Sequence, residues 1–246
     1  MKLHRIRAFT LVEMSIVLSI IALLIAVVTN ANQMIKQSKV QSTIVKMKKY
    51  AEAYHSFKLQ YDAYPGDMSN ASTYWSATQN GDGDKKIEKV CSGGPNNIES
   101  FLGLKHLSLA KLIKGSFTGL GVTSGSENEK TVIGTNVDAF PLDGTAATIY
   151  FIEDFTHYSG ASTVNINKHI LMVGGPHSQC STTDTKKIIP EDAYAIDKKL
   201  DDTVPSTGII MAGATAHDCA ESNGSGGSRY NLDNIGQECA VFYHLD

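Results

Sequence analysis

From residue 9 to residue 63 the sequence holds neither proline nor glycine, the two strongest helix breakers. That absence excludes a set of short helices or strands over those positions. No acidic residue precedes Glu13. Nowhere does the chain contain Gly-x-Ser-x-Gly, Gly-x-x-x-x-Gly-Lys or His-Glu-x-x-His. It therefore lacks the local frames of an esterase nucleophile, a phosphate-cradling loop and a zinc protease. The eight histidines are scattered, and the reading is a non-enzyme without a cofactor. Nor is there a basic excess: 22 Lys and Arg stand against 25 Asp and Glu, a formal net charge of −3. No nucleic acid is expected as a partner of the body.

What is present begins with an apolar run. Of residues 9–28, only Thr10, Glu13, Ser15 and Ser19 are not apolar. As a helix rising about 1.5 Å per residue, this run spans about 30 Å, the thickness of bilayer hydrocarbon. Lys2, Arg5 and Arg7 precede it. Such a flank stays cytoplasmic, which puts the remainder of the chain outside the inner membrane. A secretory signal peptide has a shorter core, although Thr29-Asn30-Ala31 offers a small-x-small cut. A plain membrane anchor leaves Glu13 unexplained. An ionised carboxylate in hydrocarbon costs several kcal/mol unless paired, so it marks a function. A cut between Ala8 and Phe9 would create the partner. The new ammonium of one chain, offset along its neighbour, then pairs with that neighbour's Glu13 and sets the register.

The residues Arg7-Ala8-Phe9-Thr10-Leu11-Val12-Glu13 resemble the leader of type IV pilins and type II secretion pseudopilins. The resemblance implies that a prepilin peptidase cuts between Ala8 and Phe9 and N-methylates Phe9. It also implies that Glu13 is the assembly carboxylate. The family usually has Gly where this chain has Ala8. Partners implied are further copies of this chain, other pilin-like subunits, an inner-membrane assembly platform and the lipid bilayer. The single-pass precursor would later enter a periplasmic or surface filament. The organisation expected is a leader (1–8), a membrane half-helix (9–28), an amphipathic half-helix (29–63) and a periplasmic globular domain with inserted loops (64–246). Two other readings stay open: a minor pilin that binds a secreted substrate, DNA or a surface, and a membrane-anchored periplasmic enzyme.

Beyond the apolar run, Val40, Ile44, Met47, Ala51, Tyr54, Phe57 and Tyr61 recur at steps of three and four, the stripe of an amphipathic helix. Tyr64-Pro65-Gly66-Asp67 ends that helix, and Asp67 or Ser69 is expected to cap a short one through Trp75. Helices are predicted over 99–114, ended by Gly115, and over 190–200, with Pro190 in the first turn. Strands are predicted over 145–152, 169–173, 208–212 and 240–245. Residues 115–144, rich in Gly, Thr, Ser and Asn, read as a surface excursion. The order predicts an α+β fold, a long helix packed on a mostly antiparallel sheet of about four strands, the plan that pilin-like proteins share.

Two metal readings arise. Asn80-Gly81-Asp82-Gly83-Asp84 followed by Glu88 resembles the start of a calcium loop, with Asp82, Asp84 and Glu88 as ligands, although Lys85 and Cys91 stand where Gly and a closing Glu belong. Asp197, Asp201 and Asp202 form a second acidic group whose duller reading is a solvated helix end. Cys91, Cys180, Cys219 and Cys239 all lie on the exported side and read as two disulfides, with three connectivities open. Resemblance to the disulfide-bounded late loop of many type IV pilins implies Cys219–Cys239, a clamp worth about 3 kcal/mol on the chain-entropy model. It leaves Cys91 to Cys180. A zinc site from His177-x-x-Cys180 and His217-x-Cys219 is the rival.

Overall fold

The computed structural model describes residues 9–91, 98–124, 127–155, 164–213, 219–222 and 228–246. The leader 1–8, with Ala8, lies outside the described residues, and so does His217. Helix α1, Leu11–Tyr61, follows from the absence of breakers. The chain divides into two compact units, Met1–Lys39 and Val40–Asp246.

Among the described residues of the first unit, the large apolar side chains are exposed. Phe9 is 77% exposed, and Leu11, Val12, Ile16 and Leu23 are also exposed. Polar groups in the run are satisfied within the helix. Ser15 Oγ donates to the carbonyl of Val12 and Ser19 Oγ to that of Ser15, each at 2.8 Å.

The second unit is built on the other half of α1. Val40, Ile44, Met47, Ala51, Tyr54 and Phe57 of the predicted stripe are buried, and Tyr61 is half-buried. The helix stops two residues before the expected end, with Asp62 in left-handed backbone (φ 51°). At Gly66 (φ 104°) the turn requires glycine, because a Cβ there would lie 2.3 Å from the carbonyl oxygen of Glu99. Helix α2, Ala71–Tyr74, follows with Asn70 at its cap and no side-chain cap bond, so neither Asp67 nor Ser69 caps it.

Helix α3, Glu99–Leu109, ends five residues earlier than predicted. The stop is Lys111, not Gly115: Lys111 takes left-handed backbone (φ 61°), its N–H bonds the carbonyl of Ser108, and the N–H of Leu112 bonds that of Leu107. This pair of closing bonds is the usual way a left-handed residue satisfies the last carbonyls of a helix, a place generally held by glycine.

Strands β1 (Val122–Ser124) and β2 (Glu127–Lys130) form a small antiparallel hairpin. The region read as a surface excursion is only partly that. Phe117, Val137, Phe140 and Leu142 within it are buried, because Gly and Thr there alternate with core residues whose spacing carries no period. The main sheet has the order β3-β4-β5-β9-β6, all antiparallel: β3 Asp138–Ala139, β4 Ala146–Phe155, β5 Val164–Gly174, β6 Ile210–Gly213 and β9 Ala240–His244. The four predicted strands are present; β3, two residues long, is the addition. Near-continuous apolar runs in β4 and β5 signal burial on both faces. Consecutive side chains point to opposite faces. His169 packs on Tyr54 of α1, with ring centroids 5.7 Å apart, while Thr148 of the other face pairs its hydroxyl with Thr183 at 3.1 Å. Helix α4, Pro190–Leu200, has the predicted bounds, with Pro at its first turn and Glu191 and Asp192 near its N-terminus. Strands β7 (Ala220–Ser222) and β8 (Ser228–Tyr230) pair antiparallel inside the late loop bounded by Cys219 and Cys239.

Candidate functional site

The predicted assembly residue sits in a local frame that the hydropathy reading missed. Thr10 stands at the N-cap of α1 and Glu13 three residues on. The Thr10 N–H and Oγ1–H both donate to Glu13 Oε2, at 2.8 and 2.9 Å, and the Glu13 N–H donates back to Thr10 Oγ1 at 3.2 Å. Reciprocal bonding of this kind is a capping box, and its signature, Thr-x-x-Glu before an apolar run, was legible in the sequence. It uses one carboxylate oxygen, Oε2, for both bonds. Phe9 directly precedes the box and is exposed. Side chains of residues 26–30 lie outside the described set. Among the described residues no helix is long and apolar enough to cross a membrane. The apolar run of the sequence extends through Val28, into the undescribed positions.

The calcium candidates come together in two groups that share Asp82: Asp67, Asp82 and Asp84, and Asp82, Glu88 and Glu99. Asp67 and Glu99, far off in sequence, were not foreseen. Each holds the 80–88 loop through backbone N–H groups. Asp67 accepts from Gly83 at 2.7 Å and Lys85 at 3.0 Å, and Glu99 accepts from Asp82 at 2.9 Å and Glu88 at 3.2 Å. Burial pushes the Asp67 carboxyl up to about 6. Glu99 is raised as well, by burial first and then by the side chain of Glu88.

Asp197, Asp201 and Asp202 also lie close together, but the solvated-helix-end reading needs correction. Asp197 is buried and accepts the Tyr230 hydroxyl at 2.8 Å and the Thr203 N–H at 3.1 Å. Asp201 accepts the N–H groups of Ile209 and Ile210. Tyr230 lies on β8, so the late loop is anchored on α4 through this buried pair. The loop still exposes Leu232 and Ile235.

Both disulfides are present, Cys91–Cys180 and Cys219–Cys239. The zinc reading is overturned, since the thiolates it needs are bonded to each other.

Two histidines organise the core. His106 Nδ1 accepts the Gly66 N–H at 2.9 Å, its Nε2 faces the Gln79 carbonyl at 3.2 Å, and the ring stacks on Phe57. It is buried and neutral, with burial pulling its pKa down to about 4. A histidine free in the unfolded chain titrates near 6.5. As pH falls from 6.5 toward 4, only the unfolded state gains the proton, and the fold loses up to about 3 kcal/mol. His244, drawn down to about 4 by burial, acts in the same direction. Asp67 acts oppositely, since its contribution is lost as pH rises from about 4 to 6. Asp197 and Glu99, both raised by burial, act as Asp67 does. The expected result is therefore a difference between variants: from pH 6.5 to 4 the urea midpoint of His106→Gln rises relative to that of the natural chain. His169 is held differently: its Nδ1 meets Asp246 Oδ2 at 2.7 Å, and Tyr54 donates to Asp246 Oδ1 at 2.8 Å.

With this geometry in hand, comparison with known proteins adds one match. Residues 3–29 fit the model of the prokaryotic N-terminal methylation motif. This supports the likeness to type IV pilins and pseudopilins at the N-terminal segment. No curated protein and no solved structure matches the chain.

Proposed function

We propose that this chain is the precursor of a pilin-like filament subunit, a pseudopilin or type IV pilin, whose role is structural and not enzymatic. The observation that carries the reading is the methylation motif over residues 3–29, set on a helix whose apolar side chains are exposed and whose first-turn acid is Glu13. In the precursor, residues 9–28 cross the inner membrane once and the body lies in the periplasm. A prepilin peptidase removes 1–8 and methylates Phe9. On an inner-membrane platform, mature chains then pack their apolar helices together, with other pilin-like subunits where the filament is mixed. Exposed apolar residues need either lipid or neighbouring helices as their surroundings, and this path supplies first one and then the other.

The chain's Ala8, in place of the family's Gly, gives a test of the peptidase step. With a prepilin peptidase co-expressed, Ala8→Gly is expected to process at least as fast as the natural chain, and Ala8→Leu to remain uncut. Immunoblots for the shift from precursor to mature length read the result. Equal processing of all three would contradict the assignment of the cut.

A further inference from the structure

Two features of the second unit are not used by the assembly reading, and they lie toward opposite edges of the main sheet. One is a groove of about 880 Å³ between α1 and the segment that follows α3. Val45, Leu112 and Ile113 supply its apolar surface, and Lys49, Lys111 and Lys114, all exposed, stand around it. The one acid that lines it, Asp138, is already met by Lys46 at 2.6 Å and by the Tyr50 hydroxyl at 2.5 Å. Asp138 belongs to β3, an edge strand of the sheet.

The other feature is the late loop, which leads into β9 and so toward the opposite edge strand, β6. Helix α4 packs on β6, and the loop is held on α4 through Tyr230 and Asp197. Cys219–Cys239 clamps it. Inside it the Asn231 N–H bonds the Cys219 carbonyl at 3.0 Å, and the Asn234 N–H bonds that of Asn231 at 3.1 Å. This braced loop nevertheless holds Leu232 51% and Ile235 89% exposed, with Asp233, also exposed, between them. Residues 231–238 carry two acids, Asp233 and Glu238, and no Lys or Arg. Glu238 is paired with Lys186, which leaves Asp233 as the charge the loop presents. Covering the two aliphatic side chains is favourable, and a loop already braced has little ordering left to lose on docking.

We propose that the late loop of one copy of this chain docks in the groove of the next, with Leu232 and Ile235 against Val45, Leu112 and Ile113 and with Asp233 facing Lys49, Lys111 and Lys114. The two surfaces match in character and in sign: an aliphatic knob carrying an acid meets an aliphatic recess rimmed by lysines. Complementary charge of this kind selects the partner and fixes the register more than it adds affinity. Because loop and groove lie toward opposite edges of one sheet, each copy offers one to each side. The contact is therefore heterologous, and such a contact repeats from copy to copy as a ring or an open helical array. The helical array is the form a filament takes. What brings copies side by side rests on the filament reading; the match of loop to groove does not.

The test is photo-cross-linking of the full-length chain in membranes, expressed with a prepilin peptidase. A benzoylphenylalanine probe replaces Ile235, or replaces Leu23 of the apolar run as a control, and the cross-linked peptides of the dimer band are identified by mass spectrometry. The probe at Ile235 is expected to attach to residues 45–49 or 111–114 of a second copy. Asp233→Lys is expected to lower that adduct about fivefold or more, and Lys111→Asp/Lys114→Asp, added to it, to restore about half or more. Rescue by reversed charge cannot come from a misfolded loop. Dimers through Leu23 with none through Ile235 would overturn this contact and leave the filament reading standing, whereas dimers through neither would overturn both. Attachment of the Ile235 probe only elsewhere on the second copy, or only to a different protein, would overturn the proposal. An unchanged adduct in Asp233→Lys, or a loss without rescue, would do the same.

Discussion

Glu13→Gln is expected to keep helix α1 intact and to abolish assembly. Glutamine can take the place of glutamate in a capping box, so its side-chain oxygen still accepts from Thr10 and the cap survives. Its negative charge does not. If the carboxylate's work is to hold a neighbour's Phe9 ammonium in a low-dielectric core, removing it leaves that ammonium buried and unpaired. Breaking such a pair costs about 3–5 kcal/mol, roughly a hundredfold or more in an association constant. If Glu13 serves only as a cap, Glu13→Gln should assemble normally, and Glu13→Ala should lose no more than about 1 kcal/mol of helix stability. Cross-linking of membranes, read as the ladder of multimers, separates the cases. Both variants are expected to lose the ladder. Normal assembly of Glu13→Gln would reduce the residue to a helix cap.

The second large effect concerns the longer disulfide. Cys91 and Cys180 are 89 residues apart and Cys219 and Cys239 only 20. On the chain-entropy model the first constrains the unfolded chain by about 4–5 kcal/mol and the second by about 3. Against a typical domain stability of about 5–15 kcal/mol, losing the first is severe. It also frees a joint: Val90 donates to Ser181 Oγ at 2.8 Å and accepts from the Ser181 N–H at 2.9 Å, beside the paired cysteines. The double variant Cys91→Ser/Cys180→Ser should therefore show a lower urea midpoint than Cys219→Ser/Cys239→Ser, itself lower than the natural chain. The reverse order would mean that local anchoring, not chain entropy, dominates. Tyr230 on Asp197 would then be the anchor to examine.

The contrast between these two bonds and the acidic loop shows which features a sequence exposes. Regular elements were legible where one period or one breaker decided them: the stripe of α1 and the bounds of α4, with Pro190 and two acids at its start, came through intact. The end of α3 was not legible, because Lys111 closes the helix where glycine is expected and only tertiary packing can hold it there. Strand β3 is too short to show an alternation. Asp67 and Glu99 escaped notice for another reason. Their partners, Gly83 and Asp82, are backbone groups 16 and 17 residues away, and no side-chain motif records such a contact. Thr10 is the opposite case, since its capping signature was in plain view but was read only as one polar exception in an apolar run.

The most direct measurement is the intact mass and N-terminal sequence of the protein recovered from membranes. The expected product is a chain that starts at Phe9 and carries one added methyl group. A chain starting at Asn32, as an ordinary signal peptide would leave it, or an uncut chain starting at Met1, would contradict the filament-subunit reading.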